Sequence, residues 1–352
     1  TGGDGSDKFT VRSGVTIGGN LNGSGGDDSF VLEANSTVGG DLAGGAGNNT
    51  LTLNSGAQIL GNVSDVTVDI NIDGTAAADT FVVRLNAGVL EVLVNGVQNQ
   101  FLTPSGGSIN LAINTGDMGG DDYLTVDNSN GLVAANITYV GGAETTADRI
   151  RLVGLQTMNA VYTPSAITSG EGVVIVEDPV ETQTITFTGL ESVDIDGLGN
   201  LAIVTEGSQD VVSLDPGRDA ASNSLDSLVV SGTSDGVAFL SAHIRNVAGL
   251  DIDLATNDGA TPDDSVTVAD GATSVAPGLL RLDISTGNGS DEFDITGTDL
   301  PLASGAAVPT AGTTSVFSGV VGTINDVVTA DFNGDLILDL AAATSGGQVV
   351  VA

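Results

Sequence analysis

The chain is 352 residues long and carries 45 acidic against 8 basic side chains, a formal charge of −37. Its basic residues, Lys8 and scattered arginines, form no patch that could overcome repulsion from a polyanion, so no nucleic-acid partner is expected. The lack of cysteine removes disulfide frameworks, thiol catalysis and cysteine-based zinc sites together, while a hydrophobic fraction of 40% argues against a disordered acidic chain.

No run of about 18 apolar residues reads as a transmembrane segment. Apolar residues rarely recur at helical spacing, and Gly, Asn, Asp or Thr interrupts every stretch within about ten residues, so the predicted class is all-β.

Residues 1–66 keep a strict period. Phe9, Phe30 and Leu51 are 21 apart, as are Val11, Leu32 and Leu53, then Ile17, Val38 and Ile59, then Leu21, Leu42 and Val63. Gly18-Gly19-Asn20, Gly39-Gly40-Asp41 and Gly61-Asn62 follow the same spacing. Such a repeat cannot bury its apolar face alone but can bury it on the next copy, which predicts a parallel β-helix, a β-solenoid of 21-residue coils. Phe9 and Val11 then point inward, alternating with Lys8, Thr10 and Arg12, and the glycine corners are expected to supply positive φ angles.

Across residues 67–310 the period fades, which predicts longer irregular coils or, alternatively, a β-rich stalk with embedded hairpins. One pattern persists: an Asp, any residue, then apolar residues at alternate positions. It begins at Asp7, Asp28, Asp79, Asp122, Asp148, Asp210, Asp226, Asp264 and Asp291, with Asn49 heading one further copy. Most copies follow a turn rich in Gly, Ser, Asn or Asp, so each reads as turn, acid, strand. Residues 192–196, 250–254 and 281–284 look like intervening strands, and Val94-Asn95-Gly96-Val97 is a hairpin signal.

The segment from Gly2 to Thr10, Gly-Gly-Asp-Gly-Ser-Asp-Lys-Phe-Thr, matches every fixed position of the calcium-binding nonapeptide and resembles secreted repeat proteins of the RTX type. Gly23 to Val31 and Thr286 to Asp294 each miss one glycine, and Gly44 to Thr52 has Asn49 where the acid belongs. The resemblance implies bound Ca2+, with Asp7, Asp28 and Asp291 as carboxylate ligands and Asn49 as a weaker one. In that family the nonapeptides run in tandem, whereas the first copies here stand 21 residues apart, so an ion would have to bridge equivalent turns such as those of Asp7 and Asp28. The alternative is that these turns are corners in which Asp bonds its own backbone. Phrases at 187–191, 255–264 and 282–287 resemble the stalks of very large bacterial surface proteins.

Residues 311–352 carry a second pattern. Asp331, Asn333, Asp335 and Asp339 place oxygen-bearing side chains at alternate positions of a tight loop, and the carbonyl of Ile337 would complete the shell around one ion. The stretch resembles an FG-GAP (VCBS-type) repeat, a propeller-blade-like unit, although Leu336 stands where Gly is usual. A propeller needs roughly four to eight blades, so the chain is expected to be part of a longer protein, or to pair its last strands with another chain.

Catalysis has little support. His243 is the sole histidine, no phosphate loop exists, and neighbouring carboxylates such as Asp27 and Asp28 point to opposite faces of a strand rather than specifying a glycosidase pair. The expectation is a non-enzymatic, calcium-stabilised structural protein, extracellular or on the cell surface, serving as a stalk, surface-layer or filament component that self-associates or binds other surface proteins. The alternatives are an adhesin for glycan or protein, and a β-helix polysaccharide lyase or hydrolase.

Overall fold

The computed structural model describes the chain except for residues 103, 106–107, 116–119, 143–147, 260–262, 274, 296–323, 331–338, 345–348 and 352. Every element among the described residues is a strand, so the chain is all-β, with many strands in parallel sheets. It divides into two compact units, Thr1–Ile150 with Val180–Gly189, and Arg151–Pro179 with Leu190–Ala352.

In the first unit, strands Lys8–Val11, Ser29–Leu32 and Thr50–Asn54 pair in parallel with Phe9 opposite Phe30 and Phe30 opposite Leu51. The other three apolar columns pair in the same register, Val11 with Leu32 and Leu53, Ile17 with Val38 and Ile59, and Leu21 with Leu42 and Val63. All four columns therefore stack like on like. Phe30, Leu32, Val38, Leu42 and Leu51 are fully buried, and the Phe9 and Phe30 rings lie 4.8 Å apart and nearly parallel. The ladder continues through Thr67–Asp73, Ile109–Asn114, Asn136–Val140 and Thr182–Thr188, with Leu51, Val68, Ile109 or Leu111, Ile137 and Ile185 carrying the inward face.

Glycine's role at the corners differs from expectation in part. Gly18, Gly39, Gly40 and Gly61 are not in the left-handed region, whereas the expected positive φ is found at Gly3, Gly5, Gly14, Gly26, Gly45, Gly47 and Gly56. Gly40 and Gly61 are required by close stacking, since a Cβ at either would run into the backbone and the Asn20 or Asp41 side chain of the repeat before it. Those side chains form an exposed row, Asn20 Oδ1 accepting the Asp41 N–H and Asp41 Oδ1 accepting the Asn62 N–H.

The loss of period after residue 66 comes from hairpins inserted between parallel rungs. Thr80–Asn86, Val89–Val94 and Val97–Leu102 run antiparallel, turning at Ala87-Gly88 and at Asn95-Gly96, all four residues with positive φ as such two-residue turns demand. In the second unit, Asn159–Pro164 pairs antiparallel with Gly172–Glu177, and Asp210–Arg218, Asp226–Ser234 and Val237–Arg245 form a three-stranded meander. Parallel pairs nevertheless persist there, Asn159–Pro164 with Asn200–Val204, Gly249–Asp253 and Arg281–Ser285 in one series, and Asp210–Arg218 with Ser265–Val268 and Glu292–Ile295 in another. Asp226 heads the middle, antiparallel strand of the meander and is exposed, so this copy of the Asp pattern is not a rung. The alternation of Asp226 to Val230 is that of any half-buried strand, and only its partners tell the two apart.

Candidate metal centre

At the head of each parallel strand a backbone N–H lies just outside the sheet ladder and must find another acceptor. The acid of the following repeat supplies it. Asp28 Oδ1 accepts the Asp7 N–H at 2.9 Å, and Asn49 Oδ1 accepts the Asp28 N–H at 2.9 Å. The same bond joins the Asp79 N–H to Asp122 and the Asp122 N–H to Asp148, both at 2.7 Å. In the second unit it joins the Asp210 N–H to Asp264 at 2.8 Å and the Asp264 N–H to Asp291 at 3.0 Å. The residue separations range from 21 to 54, so this side-chain ladder survives where the sequence period does not.

The second oxygen of each acid has a different fate in different repeats. Thr75 donates both its N–H and its hydroxyl to Asp79 Oδ2, and Thr205 donates its hydroxyl to Asp210 Oδ2. Burial alone would raise Asp79, but the bonds from Asn95 and Thr75 outweigh it and hold this carboxyl below its usual range. Asn49 answers the same need with an amide: its Nδ2 donates to the carbonyls of Gly45 and Asp65, each at 3.1 Å, and lies 3.5 Å from that of Gly47.

Asp7, Asp28, Asp264 and Asp291 have neither remedy. Oδ2 of each is enclosed and has no hydrogen-bond partner. Asp28 is 1% exposed, and a Cβ placed on Gly23 would collide with both Asp28 Oδ2 and the carbonyl oxygen of Gly44. Gly44 O belongs to the next repeat, as Asp65 O does for Asn49, and the Ser24 and Gly45 positions are paired partners. A carboxylate oxygen thus faces the Gly44 carbonyl oxygen where the neighbouring repeat puts an amide. Acceptors facing one another need something positive between them, and an all-oxygen cradle with a flexible backbone suits a hard cation such as Ca2+. The residues around Asp28 fit that ion.

Of the residues the sequence nominates, Asp7, Asp28 and Asp291 occupy equivalent places in the ladder, Asp7 and Asp28 in adjacent repeats. The direct contact between those repeats is the Asp7 N–H to Asp28 Oδ1 bond, so one oxygen of Asp28 is already committed. Asp331, Asn333, Asp335 and Ile337 lie outside the described residues, and Asp339 is described only as the first residue of the strand Asp339–Thr344. Among the described residues no three acidic or imidazole side chains are grouped closely enough to enclose a metal by themselves, so main-chain carbonyls must supply most of any shell. Asp122, Asp148, Asp210 and Asp264 share the ladder with the nominated acids, and their common signal in the sequence is the Asp-led alternation itself. Nothing in that alternation points to the Thr75 donors that separate Asp79 from Asp28, nor to Asp210, whose Oδ2 takes the Thr205 hydroxyl while its Oδ1 is enclosed without a hydrogen-bond partner.

His243 sits in the strand Val237–Arg245 with Nδ1 2.6 Å from the Arg218 carbonyl oxygen, and Asp194, nearby, accepts the N–H groups of Ala220 and Ala221. Both groups are engaged in holding the loop after Arg218. No protein-family model matches the chain, and no curated protein or solved structure matches it either.

Proposed function

We propose that this chain is a calcium-stabilised β-solenoid acting outside the cell as a structural element, a stalk, surface-layer or filament component. The observation that carries the reading is the enclosed Oδ2 of Asp28, set against the Gly44 carbonyl oxygen in a cradle that the Asn49 amide fills one repeat on. Parallel rungs in which like residues stack at a spacing of about 5 Å make length rather than a cleft, and they also bring like charges together. With a formal charge of −37, the chain gains from divalent counter-ions wherever its acids align. Calcium near millimolar concentration is a condition of the extracellular space, so an ion that completes the fold there ties folding to export.

Melting the protein in chelator and in millimolar calcium tests this reading. A higher midpoint with calcium, matched by a gain that magnesium does not reproduce, is the expected result. Equal midpoints in chelator and calcium would overturn it.

A further inference from the structure

In the second unit the acid ladder carries a residue that the repeat does not require. Ahead of Asp264 in the chain, Asp258 lies against the next repeat, where its Oδ2 accepts the Asn288 N–H at 2.6 Å. Gly287, with φ of +77°, makes room for this, since a Cβ there would collide with the Asp258 carboxylate. Oδ1 of Asp258 is enclosed without a hydrogen-bond partner. Asp264 is 1% exposed, with Oδ1 engaged by the Asp210 N–H and Oδ2 unpartnered. Asp291 repeats the arrangement, Oδ1 taking the Asp264 N–H and Oδ2 enclosed and unpartnered.

Three carboxylates within two adjacent repeats therefore each keep one enclosed oxygen that receives no donor. None of the ion pairs among the described residues involves them. Burial pushes Asp264 up to about 7; the Asp210 N–H opposes this, and the charges of Asp210, Asp258 and Asp291 add to it. Asp258 is raised as well, by burial first, against the Asn288 N–H and with Asp291 and Asp253 adding repulsion. Only a proton or a cation relieves such a group of acceptors.

We propose that Asp258 and Asp264 bind a divalent cation of the calcium class, with main-chain carbonyls completing the shell and Asp291 as the neighbouring acid. The inference rests on the reading that unpartnered ladder acids face hard cations, and it adds a ligand, Asp258, that lies outside the repeat motif. The chemistry favours calcium over a transition metal because the donors are oxygens alone, and over magnesium because a shell assembled from two turns is irregular.

Calorimetric titration of calcium chloride into the metal-free 352-residue chain, near neutral pH, tests the site. Asp258→Asn and Asp264→Asn are each expected to remove one bound calcium or to weaken one class of sites by at least about tenfold, while Asp28→Asn leaves that class untouched. Unchanged stoichiometry and affinity in both variants would overturn the proposal. If Asp28→Asn loses a calcium while the other two variants bind as wild type does, this site fails and the first-unit reading stands; the reverse pattern separates them the other way. Should Asp264→Asn lack the circular dichroism of the folded chain, Asp258→Asn decides, because its side chain is only half-buried.

Discussion

Replacing Asp28 by Asn separates a cation site from a structural corner. Oδ1 of the new amide keeps the Asp7 N–H, and Nδ2 comes to the place that Asn49 Nδ2 occupies one repeat on, with its carbonyl partners at 3.1 to 3.5 Å. In chelator the substitution removes an enclosed, unpartnered charged oxygen and adds long hydrogen bonds, a gain of about 1–3 kcal/mol. For a unit of this size each kcal/mol moves the midpoint by about 2–4 °C, so the variant should melt several degrees above wild type. With calcium at a thousand times its dissociation constant, wild type gains about 4.1 kcal/mol at this site and the variant gains nothing there. The two proteins should therefore exchange rank between chelator and calcium. Circular dichroism melts of both under both conditions read this directly. A variant less stable than wild type in chelator would refute the opposed-acceptor argument, and one that keeps the full calcium increment would refute the placement of the ion.

Gly23→Ala puts a methyl group into the same cradle, against Asp28 Oδ2 and Gly44 O, and should abolish this calcium increment while costing about 1–3 kcal/mol from overpacking, read from the same melts. Phe30→Ala removes a fully buried ring stacked on Phe9 and should destabilise the first unit by about 3–5 kcal/mol in urea, with calcium unable to restore it. Asp264 predicts an inverted pH response in the metal-free protein. Its folded pKa of about 7 lies above the unfolded one, so its contribution is fully present below the unfolded pKa and is lost as pH rises through about 7. Urea midpoints measured in chelator across that window should fall with pH in wild type and flatten in Asp264→Asn, and a wild-type midpoint that rises instead would count against the protonated carboxyl.

Much of the first unit could be read from residue spacing alone. Four apolar columns at a separation of 21 pair in the register their numbers imply, because a parallel rung offers each side chain only its counterpart to pack on. The Asp-led alternation likewise marked strand after strand, and Asn95-Gly96 marked its hairpin, since few other residues accept two successive left-handed conformations. Asp226 shows the limit: its local pattern equals that of Asp210 or Asp264, yet it heads a strand in an antiparallel meander. Local alternation reports that one face is buried and carries no information about which strand lies alongside.

What chain order determined by itself is the class, the first repeats and the positions of the acids. Tertiary structure decided what those acids do. Asp79 and Asp28 have the same local pattern, but Thr75 donates to one and a carbonyl of the following repeat confronts the other. Asp258, with no motif around it, reaches the same kind of position against Asn288 of the next repeat. A carboxylate's need for a cation depends on what lies within about 3 Å of its second oxygen: the threonines that donate to Asp79 and Asp210 stand only 4 and 5 residues before them, whereas the carbonyl that confronts Asp28 Oδ2 is that of Gly44 in the following repeat, which only the stacking of repeats brings there.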